Sequence, residues 1–114
     1  MSGAVLVAAL GGNTFVAKIS PTSLSGFKFG TGLIYTSGPS AVTVQGGQTP
    51  YSYLWTRVSG SADIFPQVPT AATTRFYCDF TAPGSETAVF KCVVTDSNAS
   101  VIDSNTVSMT ITST

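Results

Sequence analysis

The residues able to do chemistry are few, and the most useful one is missing. The chain has no histidine. That removes the commonest general base, the Ser-His-Asp and Cys-His arrangements, and the commonest zinc ligand. Cys78 and Cys92 are the only cysteines, too few for a four-thiolate metal site. They read either as a disulfide between neighbouring strands or as two buried thiols acting as small apolar core residues. The acids are Asp63, Asp79, Glu86, Asp96 and Asp103. Glycoside hydrolysis needs two carboxylates about 5 to 10 Å apart across a cleft, and the sequence gives no sign of one. Asp96 and Asp103 flank the last hairpin, but calcium wants about six or more oxygens, so they read as solvated turn residues. No G-x-x-x-x-G-K-[ST] phosphate loop is present. The expectation is a chain without enzymatic activity and without cofactor.

Tyr51, Tyr53, Trp55 and Tyr77 could stack on sugars if exposed. Alternation puts the first three on one side of a single strand. With Trp55 in the core, Tyr51 and Tyr53 belong there too, at least in part. Tyr77 is expected to point outward, which makes it the best candidate for a surface contact.

The elements that hold these residues are strands. The 114 residues suit one domain. Eleven Gly and six Pro punctuate segments whose apolar residues alternate with polar ones. That is the strand period. Strands are expected over residues 15–19, 33–36, 41–45, 51–58, 62–65, 73–80, 87–95 and 101–111, with residues 23–32 a loop or irregular strand. Residues 82–85 and 96–98 are turns. In the strand 73–80, Phe76, Cys78 and Phe80 share the inward face. In the next, Phe90 and Cys92 do. With Trp55 these form the expected core. The fold class is all-β: an antiparallel β-sandwich of about seven strands over residues 13–114, preceded by an apolar arm, 1–12.

Charge sharpens this reading. Charged residues make up 9%, and five basic residues balance five acidic ones, against about 25% in an ordinary domain. Without clustered Lys and Arg, neither nucleic acid nor an anionic membrane surface is an expected partner. No stretch approaches the roughly 18 apolar residues that span a bilayer. The run at residues 4–10 lacks the positive flank of a signal peptide, so export by that route is not expected. Exposed Val5, Leu6, Val7 and Leu10 would cost solubility. The arm reads either as a segment that docks into a partner or symmetry mate, or as an ordinary first strand or loose terminus.

Gly46-Gly47-Gln48-Thr49-Pro50-Tyr51-Ser52-Tyr53-Leu54-Trp55 resembles the turn and Pro-Tyr-x-Tyr-x-Trp strand of PKD-type immunoglobulin-like domains in bacterial and phage proteins. Phe90-Lys91-Cys92-Val93-Val94-Thr95-Asp96-Ser97-Asn98 resembles their penultimate strand. The likeness covers about residues 41–112 and implies an immunoglobulin-like fold, with Trp55 packing across onto Phe90 or Cys92. Two departures stand out. The second strand carries Val42 and Val44 where antibody-type domains have cysteine. Phe90 stands where such domains often have a corner tyrosine.

The opening Met-Ser-Gly-Ala, apolar run and Gly-Gly resemble small tail-associated proteins of tailed phages. Together the resemblances imply a virion structural protein at a tail tip or fibre base, assembled in the host cytoplasm and bound to other virion proteins. In that reducing compartment the cysteines are expected as thiols. The alternatives are a capsid decoration protein, or a carbohydrate-binding adhesion module of a bacterial surface protein. Loops 45–50, 59–62, 66–73 and 96–100, at the ends of the sandwich, would face outward for weak host-glycan contacts.

Overall fold

The computed structural model describes residues 14–114. The expected docking residues Val5, Leu6, Val7 and Leu10, and the arm 1–12, lie outside the described residues. Ten strands follow: β1 (Val16–Ser20), β2 (Ser23–Lys28), β3 (Gly32–Tyr35), β4 (Ser40–Gln45), β5 (Ser52–Gly60), β6 (Ile64–Pro66), β7 (Thr73–Thr74), β8 (Phe76–Phe80), β9 (Gly84–Thr95) and β10 (Val101–Ser113). No helix occurs among the described residues. The protein is all-β.

One sheet has the order β2-β10-β9-β5, antiparallel except for the parallel pairing of β2 with β10. The others are β1-β4-β7 and β3-β8-β6, both antiparallel. These two run on from one another. β7 and β8 are separated only by Arg75, and β3 and β4 by residues 36–39. Thr36 N–H donates to Phe76 O at 2.8 Å, and Phe76 N–H donates to Thr36 Oγ1 at 3.2 Å, across the junction.

Ten strands stand where alternation predicts about seven. Proline has no N–H and cannot continue a ladder, so Pro21 separates β1 from β2 and Pro39 separates β3 from β4. At Arg75 the inter-strand pairing moves from β4 to β3. The expected irregular segment 23–32 contains a proper strand, β2. It has no room for side chains at one point: a Cβ on Gly26 would come within 2.5 Å of Tyr35 O.

Strand β10 carries a bulge near Asp103-Ser104-Asn105. Register shifts between Lys91 and Val93, and Ser104 Oγ accepts from Cys92 N–H at 2.8 Å. Asn105 then ties β10 to β1. Its Oδ1 accepts from Ile19 N–H at 2.6 Å, and its Nδ2 donates to Ile19 O at 3.3 Å. Side chains thus supply bonds the ladder drops.

The core lies between the layers. Trp55, Phe76, Cys78, Phe80, Phe90 and Cys92 are all buried, with Ile19, Ile34, Ile64, Val94, Val107, Met109 and Ile111. Fully burying one such aliphatic side chain contributes about 1.5–3 kcal/mol. Trp55 and Phe90 share a third ring. Phe76 stands between them, edge-on to Trp55 at 5.7 Å and tilted against Phe90 at 4.8 Å. Cys92 is the register partner of Trp55 on β9. The indole N–H, which must find an acceptor when buried, donates to Ala71 O at 2.7 Å.

Candidate functional site

The outward residues of β8 and its neighbours form a row of rings. Register sets Tyr35 opposite Tyr77 and Tyr77 opposite Phe65, so one residue from each of β3, β8 and β6 falls on one line across the sheet. The ring centroids are 5.4 Å apart for Tyr35–Tyr77 and 5.9 Å for Tyr77–Phe65. Tyr77 is half-buried in the middle, while Tyr35 and Phe65 at the ends are exposed. Leu33 continues the apolar surface along β3 and is also exposed.

Phe65 and Tyr77 also line an open groove of about 640 Å³, whose other side is β5 with Leu54, Trp55 and Thr56. Ile64 and Phe90 close its floor, being buried, and Arg57 is its one charged residue. Leu54, Val58 and Val68 nearby are exposed. β5 ends the four-stranded sheet and β6 ends the β3-β8-β6 sheet, so two strand edges meet at this groove. Open edges and clustered apolar side chains are features that proteins ordinarily hide or use. A separate exposed pair, Phe27 and Phe29, packs edge to face at 5.0 Å near the C-terminus, where Gly30 N–H donates to Thr114 O.

The polar candidates have other duties. Asp96 is not solvated, as the sequence led one to expect, but buried. Its Oδ1 accepts from Asn98 N–H at 3.0 Å and Ser100 N–H at 2.8 Å, and its Oδ2 accepts from Gln48 N–H at 3.0 Å. It pins the turn 96–100 to the Gly46-Gly47 turn. Asp103 pairs with Lys91 at 2.8 Å on the surface. The two carboxylates do not converge. Asp63, Asp79 and Glu86 line a smaller hollow of about 260 Å³ together with Cys78. Among the described residues, no group of three or more His, Cys, Asp or Glu is arranged to hold a metal ion.

Cys78 and Cys92 are free and buried. Burial pushes the Cys78 thiol up, and Glu86, Asp63 and Asp79 push it further. Burial pushes Cys92 up to about 11, against a smaller opposing effect of a backbone hydrogen bond at Leu54. Both are thiols at neutral pH and poor nucleophiles. Tyr51 and Tyr53 pack partly buried against the core, and Phe15 stacks on Tyr51 at 6.2 Å.

Of the aromatics weighed from sequence, only Tyr77 lies in the surface row. Tyr35, Phe65 and Leu54 were missed. Alternation marks each as outward on its own strand, but only the three-strand register makes them neighbours.

This geometry defines a β-sandwich-like all-β protein whose most distinctive surface is an apolar groove between two strand edges. No protein-family model matches the chain, and no curated protein matches it by sequence.

Proposed function

We propose that this chain is a non-enzymatic structural component of a tailed-phage virion, an immunoglobulin-like module at the tail tip or fibre base that docks through its N-terminal arm. The observation that carries the docking part is the grouping of Leu54, Phe65 and Tyr77 around one groove, with Tyr35 beside Tyr77 in the ring row, on a chain poor in charge. Such a surface favours burial against protein.

The connectivity supports the immunoglobulin-like part. If β3 with β4, and β7 with β8, are each counted as one interrupted strand, one layer reads β1, β3/β4, β7/β8, β6 and the other reads β2, β10, β9, β5. The first layer corresponds to the A-B-E-D sheet of constant-type domains. In the second, the G-F-C strands are joined by a parallel strand on G. Trp55 then falls on strand C, and Phe90 and Cys92 on strand F.

Deleting residues 2–12 tests the function. The expected result is a folded protein absent from purified particles; wild-type incorporation would overturn docking through the arm, and absence of the full-length protein from particles would overturn the virion role. Copy number separates a tail position, with few copies per particle, from capsid decoration, with hundreds.

The ring row also bears on the carbohydrate alternative. Tyr77 is tilted by 44° from Tyr35 and 39° from Phe65, which gives no flat platform for sugar rings. Glycan-array binding lost in Tyr77→Ala would favour that alternative over the structural role.

A further inference from the structure

The groove has the shape of a place for one more strand. β5 and β6 each end a sheet, and they border the same hollow. The two edges are not equivalent. Phe65 pairs with Tyr77 and Gln67 N–H donates to Arg75 O, so β6 turns Ile64 and Pro66 towards the groove. Pro66 has no N–H to give, and β6 is only three residues long. Proline on a short edge strand discourages pairing. β5 is nine residues long and carries no proline. Its head is partly covered, since Trp55 N–H donates to Pro69 O and Trp55 Nε1 donates to Ala71 O. Beyond that loop, no strand lies beside β5 on this side among the described residues.

An occupant must meet three conditions. One side would face the floor made by Ile64 and Phe90 and must be apolar, while the other would continue the outward surface of Leu54 and Thr56. Beside the single charge of Arg57, it must carry little charge of its own. It must match the part of β5 beyond Trp55, residues 56–60, about 17 Å at the usual rise. Residues 4–10, Ala-Val-Leu-Val-Ala-Ala-Leu, are seven consecutive apolar residues without charge, about 23 Å when extended. A run apolar at every position presents an apolar face to the floor in either register.

The root of this segment decides whose groove it enters. The described chain starts at Thr14, and Phe15 stacks on Tyr51, just ahead of β5. The loop over Trp55 stands between that root and the open part of β5, so a chain's own arm would have to climb over it. A neighbour's arm meets no such obstacle.

We propose that residues 4–10 of a second copy of this chain occupy the groove, paired along the β5 edge. This rests on the docking-arm reading above and names the arm's partner.

The test uses two full-length preparations, one carrying Leu6→Cys and the other Thr56→Cys. Cys78 and Cys92 are buried and free and serve as an internal background. Mixed and oxidised, the preparations should give a disulfide-linked dimer of one copy of each. In sedimentation, Phe65→Asp, a substitution at an exposed position, should weaken self-association by at least about tenfold, which is 1.4 kcal/mol. A bond that forms only within a chain carrying both cysteines would overturn the proposal, as would a protein that neither cross-links nor associates. If cross-linking fails while deletion of 2–12 still removes the protein from particles, the docking role stands and this partner is wrong. If the mixed dimer forms while the deleted protein is still incorporated, docking to the particle through the arm falls by itself and this pairing between copies stands.

Discussion

Strand β8 has two faces, and they have opposite fates. Phe76, Cys78 and Phe80 point inward and are buried, Phe76 completely. Tyr77, one residue along, points outward into a ring row whose ends are open to solvent. Both faces carry an aromatic ring, so the presence of a ring does not by itself distinguish them. What differs is closure. Phe76 is enclosed by Trp55 and Phe90 from the facing sheet. The ring partners of Tyr77, Tyr35 and Phe65, lie in its own sheet. An apolar cluster covered from both sides is a core; the same residues covered from one side form an exposed surface.

The comparison predicts a hierarchy of effects. Phe76→Ala should cost the most, about 3–5 kcal/mol, because a large ring is lost where the packing cannot collapse. Chemical denaturation measures it, and a cost near that of Tyr77→Ala would erase the distinction between the faces. Asp96→Ala comes next. It strips the amides of Gln48, Asn98 and Ser100 of their acceptor, and should cost about 2–4 kcal/mol.

Cys92 adds a pH signature to the interior. Its folded pKa is raised from 9.0 to about 11 by burial. Between those values the unfolded chain gives up a proton that the folded one keeps. The contribution is therefore fully present below about pH 9 and is lost as pH rises through about 11, a swing of roughly 2–3 kcal/mol. Subtracting the pH profile of Cys92→Ala from that of the wild type isolates it; identical slopes above pH 9 would contradict the burial.

On the open face, Tyr77→Ala should cost under about 1.5 kcal/mol in the isolated chain, since only half-buried contacts go. Smallest is Lys91→Ala. Its ion pair with Asp103 is solvent-exposed, so it should shift stability by no more than about 0.5 kcal/mol.

The inward face of this molecule was legible in the sequence because period-two alternation is a local property. Phe76, Cys78 and Phe80, then Phe90 and Cys92, could be read as inward from neighbours two residues away. The number of strands was less legible. Pro21 and Pro39 announce interruptions, but nothing local says that the chain resumes in the same layer after Pro39, or that β2 resumes parallel to β10. The groove was the least legible. Tyr35, Phe65 and Tyr77 are separated by up to 42 positions in the chain, and their meeting depends on two long-range registers. Asp96 was misread for a related reason: its turn was recognised, but the amide of Gln48 that helps to bury it comes from a distant loop.

The central claim is that the ring row and groove serve assembly and not folding. The most direct measurement replaces Tyr35, Phe65 and Tyr77 together with serine, then compares thermal stability with the amount of protein in purified particles. The account predicts a cooperatively folded chain that is missing from the particles. A triple variant that is incorporated at the wild-type copy number would contradict it.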